Sequence, residues 1–548
     1  MKNKMKRFVA ILLAAVMVCT LFAGCAQDGD DTGGSHGGAV MTRPTVGNLE
    51  DFRNTDIYPL KGEHTLTMGI ALENAQNAYL MKLMSEAVGV NINYRYLNDE
   101  QAPLLFVDMD QMPDMLYSAA STFGLTLQRI NGYGKNGALI NYMDYLDKMP
   151  NLSKAYLEHP DLFDGVMSAE GEVYTLPYYV YTLTGCSNLI YFRGDHLAAV
   201  GRDKQPATVD ELTELLRDLK AHYGPKDAKY IPMTVYEAGH ANFNNRLTQW
   251  LYPAFGEDID PGIHIGADGK AVAGFATDQF KLMTIYIRQL VVDGLLDSEI
   301  YTAKSSLMQA FMNENHTSVN TRMLNIPKSS FDGGEENIII SQPLTSQYTD
   351  TPVFAEPTVS RKWGGMISST CSDLDAALAY MDAFFAPKEN PLNEEGTIYN
   401  LSAWLGVEGV DWEWVEEGKT YKESDRPDDW AAKNGFSGAP YIGVFHAMRL
   451  DSDGKPESLP YGFYNNCLPY AVSVIRDSAL ALTEDENEVY LDNWQDVYAY
   501  VSSAFAAFVT GNRNIETEWD AYVAALEGMG LQEILDCYDA AYARYNAK

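Results

Sequence analysis

The run Glu73-Asn74-Ala75-Gln76-Asn77 sets a carboxylate and three carboxamides side by side. Such groups offer hydrogen-bond donors and acceptors together, which suits a ligand rich in hydroxyls. The same run also reads as a helix N-cap with solvated neighbours. The chain is aromatic as well, with 35 Tyr and 8 Trp. Tyr178 and Tyr179 stand in one aromatic run, Trp250 follows the polar stretch 242–249, and Trp363 precedes two glycines. Trp404 lies near Gly406 and Gly409, ahead of Trp412 and Trp414. Aromatic faces stack on apolar ligand surfaces such as the C–H face of a sugar ring, although a single Trp is more often core. Two or more of the set are expected to line a cleft, Trp250 and Trp363 first. Hydroxyl-matching amides and aromatic platforms, brought together in a cleft, would suit the binding of such a ligand.

Sequence patterns for covalent or metal chemistry are missing. No HExxH or P-loop sequence occurs, the one GxSxG match, Gly33–Gly37, lies in the Gly- and Asp-rich stretch rather than at a strand-to-helix elbow, and the nine histidines show no ligand spacing. Gly132-Tyr-Gly134-Lys-Asn-Gly137 matches GxGxxG, but no strand precedes it and it opens no helix, so it is read as a loop. Asp451-Ser-Asp453-Gly454-Lys455 puts Gly and Lys where a calcium loop needs other residues, and reads as a turn. No metal or cofactor is expected. A pair of carboxylates for glycoside hydrolysis is a spatial arrangement, so 75 acidic residues leave it open.

The net charge is −35, which disfavours nucleic acid and anionic membrane surfaces. Its first residues explain where the chain works. Lys2, Lys4, Lys6 and Arg7 precede the apolar run from Phe8 to Phe22, the layout of a secretory signal peptide. Leu21-Phe22-Ala23-Gly24-Cys25 resembles a bacterial lipobox, with Phe22 where Leu is preferred. That resemblance implies cleavage after residue 24 and acylation of Cys25, and removing the leader takes the net charge to −39. Two or more acyl chains anchor stably where one is marginal. The Gly- and Asp-rich stretch from Ala26 to Val46 reads as a tether. Cys186, Cys371, Cys467 and Cys537 lack CxxC spacing and are expected as buried thiols, their disulfide state open.

The elements that position these residues alternate. Residues 65–72 read as a strand, an amphipathic helix runs through Tyr79, Leu83, Met84 and Ala87, and 90–97 alternates as a half-buried strand. An apolar segment at 115–117, an extended stretch at 189–192 and helices over 208–222, 277–292, 372–386, 493–510 and 516–527 continue the rhythm. Thr208 and Glu211 fit a capping box. This β-α-β order predicts α/β folding around mostly parallel sheets, and the length predicts two lobes.

Several segments, taken in order, resemble family 1 extracellular solute-binding lipoproteins of ABC importers, in the long-chain group related to alginate- and pectin-oligosaccharide-binding proteins. They are GVNINY (89–94), QMPDMLY (111–117), GALINYMDYLDKMPNL (137–152), AEGEVYTLPYYV (169–180), YFRGDHLAAVG (191–201) and IRQLVVDGLLDSE (287–299). The C-terminal stretch 508–545, with Gly511, Trp519, Asp520, Tyr522, Gly528, Gly530, Tyr542 and Arg544, carries the resemblance most specifically. Some alginate-binding relatives hold calcium in the second lobe, but Arg202-Asp203-Lys204 does not repeat such a ligand series.

The resemblance implies a periplasmic-binding-protein-like, type II (Venus flytrap) α/β fold with two lobes, a hinge and an interlobe cleft. It sets the signal peptide at 1–24, the lipidated cysteine and tether at 25–60, lobe 1 at 61–180 plus about 344–400, and lobe 2 at 181–343 plus about 401–548. It implies a monomer, held to the outer face of the cell membrane by its lipid alone. This monomer would pass an oligosaccharide to ABC permease subunits driven by a cytoplasmic ATPase. Ligands of open α/β lobes meet the loops after strand carboxyl ends, which selects Glu73, Asn74, Gln76 and Asn77. A surface glycoside hydrolase or lyase, and a peptide receptor or sensor subunit, stay open as alternatives. An acidic ligand would call on Arg246, Arg322, Arg361 or Lys362, each of which also reads as a surface charge.

Overall fold

In the computed structural model the described residues run from 58 to 547, excepting 72–74, 78, 99, 118–124, 159–162, 164, 183–188, 236–242, 302–315, 323–336, 356–359, 386–408, 410–411, 417–419, 425–441, 446–447 and 451–464. Residues 1–57 lie outside them, Cys25 included.

Strands His64–Ile70, Val90–Tyr96 and Met115–Tyr117 are parallel, as the β-α-β rhythm predicts. The strand Gly365–Ile367 closes the sheet antiparallel to Met115–Tyr117. Its core joins Leu66, Met68, Ile70, Val88, Val90 and Met115 to Tyr380 and Met381, which arrive from far along the chain. The Pro-Asp segment supplies a clasp. Asp114 accepts from Thr67 N and Oγ1, both at 2.7 Å, and from Ser372 N at 2.7 Å. Burial raises this carboxyl, but those donors win and hold it below the ordinary carboxylate value.

A second clasp is deeper. Asp382 is 1 % exposed and accepts from Asn151 N and Nδ2, Leu152 N and Tyr58 Oη. It satisfies the N-terminus of helix Pro150–Glu158, whose proline fits the first turn. Burial pushes the carboxyl up to about 7 against the pull of those donors.

The second lobe orders its sheet Ile338–Ile340, Leu189–Arg193, Val319–Arg322, Met233–Val235. Helix Asp278–Val292 starts at Thr277, whose side chain accepts from Phe280 N. The helix Val209–Tyr223 differs slightly from a capping box. Thr208 Oγ1 accepts from Glu211 N, but Glu211 accepts from Ala207 N, one residue before the cap.

The last three helices cover Glu484–Thr510, Ile515–Gly528 and Leu531–Asn546. The first begins at Glu484 rather than 493, because Thr483 and Glu486 form a full capping box that the apolar pattern alone does not reveal. Its inner stripe, Val497, Val501, Ala504, Phe505 and Phe508, recurs at helical spacing and is buried. Phe505 meets Phe280 with ring centroids 5.4 Å apart, and burying such a ring stabilises by about 1.5–3 kcal/mol. Arg544 grips Glu486 at 2.7 and 2.5 Å and Ala481 O at 3.0 Å, fastening the final helix to the first. Trp519 is core, at 4 % exposure.

Three other expectations are corrected. The GxGxxG segment is not a loop: Gly132 and Gly134 lie within helix Leu127–Lys135, capped by Thr126. A Cβ on Gly134 would stand 2.2 Å from the Tyr174 ring, so the glycine serves helix packing, and only Gly137 (φ 81°) turns the chain. The helix over 372–386 is shorter, Leu374–Asp382, and tightens into a 3₁₀ turn at Ala383–Phe385. The switch back to lobe 1 comes later than 344. Leu344 packs in the second core, Thr345 pairs with Ala207 and Val209, and Phe354–Ala355 pairs with Ala471–Val472. The expected switch near 401 lies outside the described residues. Cys371, Cys467 and Cys537 are free thiols, and Cys186 lies outside them too.

A charged cluster braces lobe 2. Asp258 accepts from His264 Nε2 at 2.6 Å, Tyr252 Oη at 2.8 Å and Ile259 N, while Asp260 takes Arg476 Nε at 2.6 Å. Burial pulls the His264 imidazole down, but the hydrogen bond and charge of Asp258 win and hold it above its ordinary value. Burial raises Asp258, and His264 more than reverses this.

Two outcomes follow for stability. Replacing Asp382 by Ala orphans the donors of Asn151 and Leu152, at about 1–3 kcal/mol each. The melting temperature of the Asp382→Ala chain should fall by several degrees in calorimetry, and a fall within error would contradict the clasp. The His264 contribution is complete below about pH 6.5 and is lost as pH rises through its raised value. The Asp258 contribution is complete above about pH 4 and is lost as pH falls through its depressed one. Melting scans from pH 4 to 9 should show this stabilisation, about 1.5–3 kcal/mol, between those limits. In His264→Gln its loss above pH 6.5 should vanish.

Candidate functional site

Strand direction decides where a ligand can be met. In lobe 1 the carboxyl ends Ile70, Tyr96 and Tyr117 share one edge, and Gly365, opposite Tyr117, begins its strand there. The chain reaches Gly365 through Ser360–Trp363, which pairs antiparallel with Pro177–Thr182. Gly364 N donates to Leu176 O at 2.9 Å and Leu176 N to Gly365 O at 2.8 Å, so these crossover strands leave from that same edge.

Lobe 2 receives them at the matching edge. Leu189, the first residue of its strand, lies opposite Arg322, the last of Val319–Arg322. Met233–Val235 runs parallel to Val319–Arg322, and Ile338–Ile340 shares their direction through Leu189–Arg193. Both lobes therefore turn strand carboxyl ends, and the loops that follow, toward the crossover. This is where open α/β sheets bind ligands.

The expected site residues fall on this frame unevenly. Gln76 and Asn77 are exposed on the 3₁₀ turn Ala75–Asn77 after the first strand, held by buried Ala75. Glu73, Asn74 and Trp404 lie outside the described residues. Tyr178 and Tyr179 are crossover positions, and Trp363 is opposite Pro177. Strand residues alternate between faces. The register Lys362↔Tyr178 and Arg361↔Tyr179 thus sets 178 and 362 on one face of the crossover sheet, and 179, 361 and 363 on the other. Ile442–Phe445 extends the sheet in parallel, with Ile442 beside Tyr179.

Trp250 sits on helix Arg246–Leu251, which starts near the lobe-2 edge with Asn245 and Thr248 in a capping box. Its ring is 4 % exposed among the second core, so in this conformation it offers no open face. A single Trp is more often core than platform, and Trp250 follows that rule. Its Nε1, with Asn320 Oδ1 and Ser341 Oγ, is buried without a partner among the described residues. Asn320 lies near the end of Val319–Arg322 and Ser341 directly after Ile338–Ile340, both toward the crossover. Sequence reasoning passed over these two. The alternation in Val319-Asn-Thr-Arg322, which sets a polar residue on a face of its own, is the signal that would have found Asn320.

The calcium question also has a geometry. Arg202 pairs with Asp218 at 2.7 Å and reaches Glu214 at 3.7 Å. Among the described residues no three His, Cys, Asp or Glu side chains gather as a metal site. Residues 451–455 lie outside them.

No protein-family model matches the chain. It is 22 % identical over 523 residues to the fructooligosaccharide ABC transporter substrate-binding protein FusA of Streptococcus pneumoniae, covering 89 % of this chain and 92 % of that one. Its fold is similar to an HMO-binding ABC-transporter-associated solute-binding protein from Bifidobacterium longum infantis (TM-score 0.70, 18 % identity, 89 % and 100 % covered). It is similar also to the alginate-binding protein AlgQ2 without calcium (TM-score 0.62, 18 % identity, 89 % and 100 % covered). Two lobes joined at their strand carboxyl edges give the chain the fold of these solute-binding proteins, and the sequence relative is matched over nearly its whole length.

Proposed function

We propose that the chain captures an oligosaccharide between its lobes outside the cytoplasm and hands it to a membrane permease driven by an ATPase. The carrying observation is the convergence of both carboxyl edges on one crossover, with exposed amides at Gln76 and Asn77 and aromatic positions at 179 and 363. The oligosaccharide class is supported by the relatives, which are described as binding fructooligosaccharide, HMO and alginate. Closure follows when the ligand binds the closed form more tightly than the open one. The reading is of binding rather than hydrolysis, and its support is the relative described as a substrate-binding protein. Acylation of Cys25 would hold the monomer at the membrane, where no described helix is long and apolar enough to cross.

Tryptophan fluorescence and melting shifts of the Ala26–Lys548 form against kestose, milk and alginate oligosaccharides, with peptides as controls, test this. One glycan class should give a saturable signal and be recovered intact. Asn77→Ala and Trp363→Ala should each weaken binding about tenfold, the equivalent of about 1.4 kcal/mol. A response to peptides alone would overturn the substrate class, and a cleaved glycan the binding role.

A further inference from the structure

Exposed apolar side chains are scattered singly over the described surface, at Val292, Tyr348, Val415, Tyr470 and Leu491, with one exception. Between Tyr96 and Gln111, four gather: Tyr96 at 49 %, Leu104 at 66 %, Val107 at 83 % and Met109 at 39 % exposure. Isolated exposed apolar residues need no explanation, whereas a cluster marks a contact surface.

The cluster is rigidly built. Helix Ala102–Leu105 is pinned below by buried Ala102, Leu105 and Phe106, and the Phe106 ring stacks on Tyr133 at 4.2 Å. Val107 N donates to Leu104 O at 3.1 Å, and Met112 N to Met109 O at 3.1 Å. Arg95 Nη1 donates to Gln111 O at 3.0 Å, drawing the turn against the strand that ends at Tyr96. The core below is therefore satisfied without the four outward side chains. Exposed Glu100, Asp108 and Asp110 stand among them against one exposed cation, Arg95, so the surface is apolar and on balance acidic.

Its place adds the direction. Tyr96 ends the outermost strand of the lobe-1 sheet, on the carboxyl edge that faces the crossover. A partner resting here would lie on the same edge of the lobe as the crossover strands.

We propose that Tyr96, Leu104, Val107 and Met109, with Asp108 and Asp110, form the lobe-1 docking surface for the extracytoplasmic face of the permease. That face would present apolar side chains next to Lys or Arg. An acidic patch on a chain of net charge −35 repels anionic lipid and a second copy of itself, but complements a basic rim. The assignment rests on the importer reading above and names the surface that reading needs.

The test places a photo-crosslinking amino acid at position 107 of the full-length chain in cells of its own host, with position 491 as the control. Illumination should join position 107, not 491, to a multi-spanning membrane subunit identified by mass spectrometry. With the crosslinker at 109, Leu104→Lys/Val107→Lys and Asp108→Lys/Asp110→Lys should each cut the yield at least tenfold. Glycan binding by the same purified chains should stay within twofold of wild type. Crosslinks only to lipid, to a second copy or to soluble proteins overturn the proposal, as do unchanged yields in the charge-reversed chain. Loss of glycan binding in these variants also overturns it, by making the surface part of the ligand site. Failure of the importer reading is separate: the unmutated chain then binds no glycan, whatever position 107 captures.

Discussion

The antiparallel strand Gly365–Ile367 is the constraint on which the rest depends. Parallel β-α-β units alone would leave lobe 1 with no way back from lobe 2 along its carboxyl edge. Inserting one reversed strand against Met115–Tyr117 lets the chain return there, and the residues before it must then lie across the crossover. The reversed Leu189–Arg193 does the same in lobe 2. Two strands of opposite sense thus bring the carboxyl edges of two separate α/β sheets to one crossover.

Both lobes are sealed by residues remote in sequence. Asp382 binds back to Asn151 and Leu152, and Asp114 to Ser372, so lobe 1 is complete only after the chain has built most of lobe 2. The C-terminal helices close lobe 2 in the same manner through Arg544 and Glu486, and through the Tyr522 hydroxyl on Phe275 O at 3.1 Å. These clasps sit away from the crossover. Each lobe can remain rigid while the crossover strands bend, as hinge closure requires.

Much of this was legible because it is local. The expected helices match those at 209–223, 278–292 and 515–528 within a residue or so, and alternation marks the strand at 90–96. What escaped was non-local or unpatterned. The capping box at Thr483 precedes the apolar stripe and extends its helix. Gly134 looked like a loop glycine because its reason, the Tyr174 ring, is distant in sequence. For the site, the switch-point rule selects Glu73, Asn74, Gln76 and Asn77, of which Gln76 and Asn77 are described and exposed. It could not separate Trp250 from core, since a helix that begins at the cleft edge buries its inner face whatever its N-terminus does.

The crossover register narrows the ligand chemistry further than composition does. Tyr178 and Tyr179 were grouped as neighbours, but period two divides them between faces. One face holds positions 179, 361 and 363, which are Tyr, Arg and Trp, and the other holds Tyr178 and Lys362. If the proposed ligand meets this sheet, either face sets an aromatic position in register with one basic position, in a chain that is otherwise strongly acidic. A guanidinium offers a planar donor fork to hydroxyl or carboxylate oxygens, while an ammonium is a point charge. If the face of Tyr179 and Trp363 is the binding one, Arg361→Lys should weaken a uronate ligand more than a neutral fructan, whereas Lys362→Arg should leave both unchanged. Binding curves for the two sugars would show which face the cleft uses.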